Sequence, residues 1–540
     1  MSAPDEQRAA DLRRLADDRW DLVIVGGGIV GTGALLDATS RGLKAALIEQ
    51  DDIAVGTSSR SSRLIHGGLR YLEHYEFHLV REALRERSRL LRLAPHLVTL
   101  APFLFPVYGL PLVHRAFYGA GLTLYDLLGA ARDGGRSRHL SANGVAKLAP
   151  MIRREGLRGG IVYHDGVEDD ARLALAVVRT AIAAGGTAVT RVRATRLLTD
   201  AAGKAAGVTA EDRETGQVLE IRSGAVLDAT GVWAGRTDAP LGGSSVPLVP
   251  SRGSHIVVPR ARIPVETAVT LRVPKKVLFM IPWPGAWLIG TTDIPDTGPA
   301  DRPSPTDAEI TEILAAVNHT LAVDLTRDDI VGAYTGLRPL VGSPGAGNTV
   351  AVSREHKVRR EDSGLARVSG GKYTTYRVMA EDAVDVTVGE DLRIRSKTAE
   401  LPLVGAAPRD ALARLSDRLA RETGLSRDVT RQLVDRHGTE AEAVIALGRE
   451  LDLVRPLGPG IPQLEAEVAW AARHELARSL DDILSRRMRL SMLLPDRGAS
   501  IAARVDTIAG AELGWDPDST EARVAAYLDG ARREYDLPVH

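Results

Sequence analysis

Asp21-Leu-Val-Ile-Val25 runs directly into Gly26-Gly27-Gly28-Ile29-Val30-Gly31, and the reading of this junction decides the fold. A short apolar run that closes on glycines reads as a strand buried on both faces. Ile29 to Ser40 follows with helical spacing and small side chains, and Ala45-Ala-Leu-Ile-Glu49 reads as a second strand. The three pieces make a βαβ unit, the setting in which G-x-G-x-x-G, here Gly26, Gly28 and Gly31, carries meaning. The first glycine allows the tight turn, the second lets backbone approach a pyrophosphate, and the third lets the helix pack against the strand. The helix N-terminus then faces the phosphates. Glu49 closes the second strand roughly 20 residues after the glycines, where a carboxylate grips an adenosine ribose hydroxyl and disfavours a 2′-phosphate.

Outward from this unit, Asp169 to Ala184 reads as a helix and Gly207 to Arg222 as a hairpin. Gly224-Ala-Val-Leu-Asp-Ala-Thr-Gly231 reads as another buried strand ending in a glycine turn. His255–Val258, Val277–Ile281 and Trp287–Gly290 are short strands broken by Pro and Gly, the texture of an antiparallel sheet. Ser304 to Glu309 reads as a helix start. Ser369-Gly370-Gly371-Lys372 leads into another helix, placed late enough to close over the far end of an extended cofactor. The glycine fingerprint alone serves FAD and NAD alike. Gly231 and the Gly370–Gly371 helix entry favour FAD, because a helix N-terminus stabilises the negative charge that gathers on a reduced flavin.

The 540 residues include 44% hydrophobic and 26% charged side chains, a globular composition. Lys and Arg total 69 against 70 Asp and Glu, so the near-neutral balance excludes the basic excess of a nucleic-acid binder. With no Cys, disulfides, thiolate catalysis and cysteine-held metals or clusters are excluded. The 13 His show no metal-ligand spacing, and no carboxylate pair supports hydrolysis. Met1 to Trp20 is charged and lacks the apolar core of a signal peptide, so a cytoplasmic protein is expected. From about Pro408 the texture turns rich in Ala, Leu, Arg and Glu with helical periodicity, which reads as a separate all-helical domain.

Gly56-Thr-Ser-Ser-Arg-Ser-Ser-Arg-Leu-Ile-His-Gly-Gly-Leu-Arg-Tyr-Leu-Glu-His-Tyr-Glu76 resembles the signature of the FAD-dependent glycerol-3-phosphate dehydrogenases, respiratory enzymes that pass electrons to quinone. Further pieces of that pattern follow in order: Asp169-Asp-Ala-Arg-Leu173, Gly253-Ser-His-Ile-Val-Val-Pro259, Gly290-Thr-Thr-Asp293, Gly336-Leu-Arg-Pro-Leu340 and Gly370-Gly-Lys-Tyr-Thr-Thr-Tyr-Arg377. The resemblance implies an α/β fold of amino-acid-oxidase type, a Rossmann-like FAD-binding domain interleaved with an antiparallel-sheet substrate domain. It gives an oxidoreductase region over 20–400, with FAD-binding parts at about 20–90, 155–245 and 335–395 and substrate parts at about 91–154 and 246–334. The helical domain covers 408–540.

The implied reaction oxidises sn-glycerol 3-phosphate to dihydroxyacetone phosphate, with a hydride passing to FAD and electrons onward to a quinone. Phosphate capture calls for fixed cations, and the arginine fork suits two phosphate oxygens. By the resemblance, Arg70, Arg338 and Lys372 belong to the substrate pocket, with Arg338 on the phosphate and Tyr71 adding a hydroxyl. His66 and His255 are both candidates for the proton acceptor, since imidazole titrates near neutrality. Thr57, Ser58 and Ser62 join Gly26, Gly28, Gly31, Glu49, Gly231, Gly370 and Gly371 as cofactor-binding residues. An oxidase that gives electrons to oxygen, and a flavin-binding sensor without turnover, are the alternatives.

Leu97 to Leu128 concentrates aromatic residues in a chain that is only 4% aromatic, with Arg92, His96, Arg115 and Arg132 at its flanks. Its prolines argue against a spanning helix. It reads either as buried substrate-domain core or as a patch that dips into a bilayer surface and admits quinone. The implied link to respiration favours peripheral association with the cytoplasmic membrane. For the helical domain three roles stand open: a scaffold, a homodimer contact or a lid.

Overall fold

A computed structural model of the chain describes residues 3–68, 76–109, 121–129, 133, 135–234, 241–242, 247–273, 276–296, 298–301, 303–342, 355–389 and 394–538. At its centre Trp20–Val25 runs parallel to Ala45–Ile48 on one side and Val218–Asp228 on the other. Thr187–Val189 and Ala366–Gly370 extend the parallel array at its two ends. Leu22, Val23 and Ile24 are fully buried, as a strand covered on both faces requires. The helices Ile29–Ser40, Asp170–Ala183 and Tyr376–Val388 pack against one face. Leu15 of the N-terminal helix Ala3–Asp17 and the strands Val192–Thr199 and Ala205–Asp212 cover the other.

A second sheet of ten strands stands beside the first. Leu248–Pro259 pairs antiparallel with Ala286–Gly290 along one edge and with Gly332–Val341 along the other. The register sets His255 between Gly290 and Tyr334, and Ser251 beside Arg338. Lys276–Trp283, Ala268–Val273, Val98–Tyr108 and Leu157–Glu168 carry the sheet onward. Asp307–Thr320 packs on it, its first turn closed by a reciprocal cap between Thr306 and Glu309.

Two expected cuts between the interleaved parts move. Leu157–Glu168 and Gly332–Val341 are strands of the second sheet, although 155–245 and 335–395 were assigned to the FAD-binding part. Each strand leads out of one sheet and into an element of the other: Leu157–Glu168 runs into the helix Asp170–Ala183. A cut drawn along the chain without knowledge of strand pairing cannot see such a crossing.

In the described part of 97–128 most of the apolar residues are core, while Leu127 is exposed. Val98–Tyr108 is an interior strand, and Phe103, Phe105, Leu122 and Tyr125 are buried. Phe103 stacks on Tyr163 at 5.5 Å and meets Phe279 edge-on at 6.3 Å. His96 is also buried, and burial, with Arg172 and His437 nearby, pushes its imidazole down to about 3. Residues 110–120 and Arg132 lie outside the described residues.

Beyond Arg409 the regular elements among the described residues are helices and one short hairpin, Pro456–Gly458 with Ile461–Leu464. A π-helical turn, Asp482–Arg487, is buried where this domain meets the parallel sheet's loops.

Candidate active site

A cavity of about 1500 Å³ begins at the turn after Trp20–Val25 and runs to the strands around His255 and Arg338. It exceeds the roughly 300–1,000 Å³ of an ordinary ligand pocket, leaving room for a large cofactor beside a small substrate.

Backbone forms the floor at the first end. Gly26 has φ +113, and a Cβ there would fall 2.7 Å from the Ala229 carbonyl. A Cβ on Gly31 would run into the Gly26 carbonyl. Gly28 is different. A Cβ there meets only Ser58 Oγ, at 3.3 Å, so its other side is open to the cavity. Glu49 sits in the wall, accepting the Gly27 N–H at 2.6 Å and the Asp51 N–H at 2.8 Å. Burial pushes its carboxyl up to about 7 against the pull of those two bonds, with Asp51 and Asp52 adding to the rise.

Gly231, Gly370 and Gly371 line the same cavity with φ of +63, +80 and +86, which only glycine adopts without strain. The Ser369 hydroxyl there is buried without a hydrogen-bond partner among the described residues. Two expected cofactor residues are tied elsewhere by their side chains. Thr57 Oγ1 donates to the Leu337 carbonyl at 2.6 Å, and Ser62 Oγ lies 2.9 Å from His255 Nε2. Ser58 Oγ accepts the Ile29 N–H at 2.9 Å, at the start of the helix Ile29–Ser40. This end fits FAD. An open backbone cradle, a helix N-terminus, a carboxylate at the ribose position and an unpartnered buried hydroxyl are what a dinucleotide uses.

Side chains form the other end. Arg338 is held by Thr291 Oγ1 at 2.9 Å and by the Thr292 carbonyl at 3.2 Å. A Cβ on Gly253 would lie 2.5 Å from the Arg338 Nη2, so this glycine makes room for the guanidinium. His255 is buried, its ring stacked on Tyr334 at 4.8 Å with 10° between planes. A Cβ on Gly290 would run into that ring. Burial, then the charges of Arg338 and Arg63, push the His255 imidazole down to about 3, so it is neutral at pH 7. Lys372 and His66 line the same cavity, and the His66 backbone N–H donates to Thr374 Oγ1 at 3.2 Å. Arg70 and Tyr71 lie outside the described residues. Thr291, Thr292 and Tyr334 had no expected role. Sheet pairing of His255 with Gly290 and with Tyr334 brings them beside the ring, and no local pattern in the sequence shows that pairing. The helical domain also reaches the cavity, through Arg486 and Glu534.

Residues 21–377 match the family model described as FAD dependent oxidoreductase, and 396–520 match the C-terminal domain of alpha-glycerophosphate oxidase. A glycerol-3-phosphate dehydrogenase of Mycobacterium leprae is 43% identical, over 97% of this chain and 90% of that protein. A mitochondrial glycerol-3-phosphate dehydrogenase of Arabidopsis thaliana is 36% identical, over 94% of this chain and 85% of that protein. Among solved structures, the glycerol-3-phosphate dehydrogenase of Bacillus halodurans complexed with FAD superposes with a TM-score of 0.81 at 27% identity, covering 100% of both chains. With both of its parts matched in order, and with a cavity that fits the cofactor, the chain belongs to the FAD-dependent glycerol-3-phosphate dehydrogenase family.

Proposed function

We propose that the protein oxidises the C2 alcohol of sn-glycerol 3-phosphate to dihydroxyacetone phosphate and delivers the electrons to a quinone. The observation that carries this reading is that Arg338 and His255 open into one cavity with the Gly26–Gly28 turn. FAD, when bound, supplies the hydride acceptor. Arg338 holds the phosphate, its guanidinium plane fixed by Thr291 and Thr292. Lys372 adds a second cation from the Gly370–Gly371 turn. His255 takes the hydroxyl proton: it is neutral, and Ser62 and Tyr334 fix its ring. A phosphate dianion against Arg338 offsets one of the charges that depress the imidazole, so substrate binding makes His255 a better base. His66, half-buried, lines the same cavity.

Anaerobic titration of the purified holoenzyme with glycerol 3-phosphate tests the reaction. The oxidised flavin band should bleach stoichiometrically and return on addition of a quinone analogue. No bleaching overturns the reading, and peroxide formation in air without need of quinone assigns the electrons to oxygen instead. The reading includes a peripheral contact with the cytoplasmic membrane, where quinone resides. No helix among the described residues is long and apolar enough to cross a membrane. Flotation with anionic liposomes at low and high salt checks that contact, and protein that stays at the bottom under both removes it.

A further inference from the structure

The helical domain buries three arginines from one short turn, Ser485-Arg-Arg-Met-Arg489. Taking guanidinium groups out of water is costly unless each is paired, and each is. Arg487 forks onto Asp52 at 2.5 and 2.7 Å, and Arg486 Nε donates to the same carboxylate at 2.5 Å. Arg489 goes elsewhere. Its Nε and Nη2 donate to Asp169 Oδ1 at 3.0 and 2.8 Å, Nη2 also reaches Asp170, and Nη1 donates to the Ser59 carbonyl at 3.2 Å.

Asp170 passes the contact inward. Its Oδ2 accepts the Ser61 N–H at 2.9 Å and the Ser61 hydroxyl at 2.8 Å. The Ser61 carbonyl accepts the Tyr334 hydroxyl at 3.0 Å. Tyr334 is the ring on which His255 stacks, and the next residue, Ser62, holds His255 Nε2. The two neighbours that fix the imidazole are thus both anchored at Ser61, which Asp170 holds and Arg489 holds in turn. Arg63 closes the group, its guanidinium 4.1 Å over the Trp283 ring and 5.7 Å over Tyr334.

We propose that Arg489 is a positioning residue for His255, acting through Asp170 and Ser61, so that the helical domain sets the orientation of the proton-accepting ring. The proposal rests on the reading that His255 takes the substrate proton. A structural tie between domains would also bury Arg489, so stability alone does not separate the two roles. A double-mutant cycle on kcat does.

Arg489→Lys keeps the charge and loses the planar fork. It should lower kcat roughly ten-fold, while KM and FAD content stay within about two-fold, because the Arg338 seat and the glycine cradle are not in the chain of contacts. In a His255→Gln background the same substitution should change kcat by less than about two-fold, since there is no imidazole left to misplace. Equal losses in both backgrounds overturn the proposal and leave Arg489 a tie between domains. If His255→Gln itself leaves kcat unchanged, the reading of His255 fails first, and the proposal falls with it for that separate reason. Should Arg489→Lys fail to fold, Ser61→Ala replaces it in the cycle. That change removes the hydroxyl bound to Asp170, which does not touch His255. Coupling to His255→Gln supports the proposal, and independent, multiplying effects overturn it.

Discussion

The two ends of the cavity are built from different material. The nucleotide end is backbone: a turn of three glycines contiguous in sequence, with Gly370 and Gly371 completing the far wall. The substrate end is side chains gathered from Ser62, His255, Thr291 and Arg338, brought together by sheet register at His255 and Arg338 and by neighbouring loops at Ser62 and Thr291. A backbone cradle tolerates change in almost any side chain around it but none in its glycines. A side-chain constellation behaves the opposite way, since one truncated group removes one chemical role and leaves the cradle intact. Substitutions at the two ends should therefore separate cofactor retention from turnover.

The largest effect is expected at Gly31. Valine there drives a side chain into the Gly26 carbonyl, so the turn cannot close, and neither FAD-loaded nor well-folded protein should be recovered. Gly28→Val should behave differently. Gly28 has φ −73, which any residue adopts, and its Cβ position meets only the small Ser58 side chain among the described residues, at 3.3 Å from Oγ, which must shift slightly. That variant should fold, with a circular dichroism spectrum like wild type, yet lose FAD because the side chain occupies the cavity floor. If Gly28→Val retains full flavin, the cradle is not where the pyrophosphate lies.

At the other end, Arg338→Leu should leave FAD content unchanged and lower kcat/KM for glycerol 3-phosphate about ten- to a hundred-fold, the worth of one charge-assisted contact. Arg338→Lys should fall between the two. Glycerol, lacking the phosphate, should be a poor substrate for wild type and variant alike. Equal damage to glycerol and glycerol 3-phosphate turnover would show that Arg338 does not read the phosphate. A smaller loss, roughly ten-fold, is expected for Gly253→Ala, because the new Cβ displaces the Arg338 guanidinium without removing it. Steady-state kinetics that leave Gly253→Ala indistinguishable from wild type would mean the seat is softer than its geometry.

This division also explains what was legible in the sequence. A strand, three glycines, a helix and Glu49 are local, and their spacing carries their physical meaning. The buried strands, the hairpin and the helix at Asp170–Ala183 follow from the same kind of local pattern. His255 and Arg338 are far apart in sequence and were reached through family resemblance, not spacing. Neither the stacking of His255 on Tyr334 nor its bond to Ser62 had any local signal: register across Leu248–Pro259 makes the first, and the loop held by Asp170 brings in the second. The misjudged cuts near 155 and 335 have the same cause, since strand membership is decided by pairing. The aromatic-rich stretch around Phe103 left a core and a bilayer reading both open, because composition alone does not distinguish an interior strand, where Phe103 lies, from an apolar surface.

The last expected effect is on stability rather than turnover, and it tests whether the side-chain end is assembled and dry. His255 is held near a pKa of about 3, against an ordinary 6.5, by burial and by Arg338 and Arg63. Between those values the unfolded chain binds a proton at this position that the folded chain does not. The sign follows: stability linked to His255 is fully present above pH 6.5 and is lost as pH falls toward 3. From pH 7 to pH 5 that loss amounts to on the order of 2 kcal/mol. His255→Gln has no proton to take up, so it should lose less stability than wild type over the same interval, whatever its stability at pH 7. Other buried imidazoles such as His96 and His437 also titrate, but they are present in both proteins and cancel in the difference. Urea denaturation of the two holoenzymes at pH 7 and pH 5 measures it. Parallel losses would show that the ring reaches water and exchanges its proton freely. The substrate end would then be an open surface that ordinary solvation governs, and the contrast with the glycine cradle would rest on Arg338 alone.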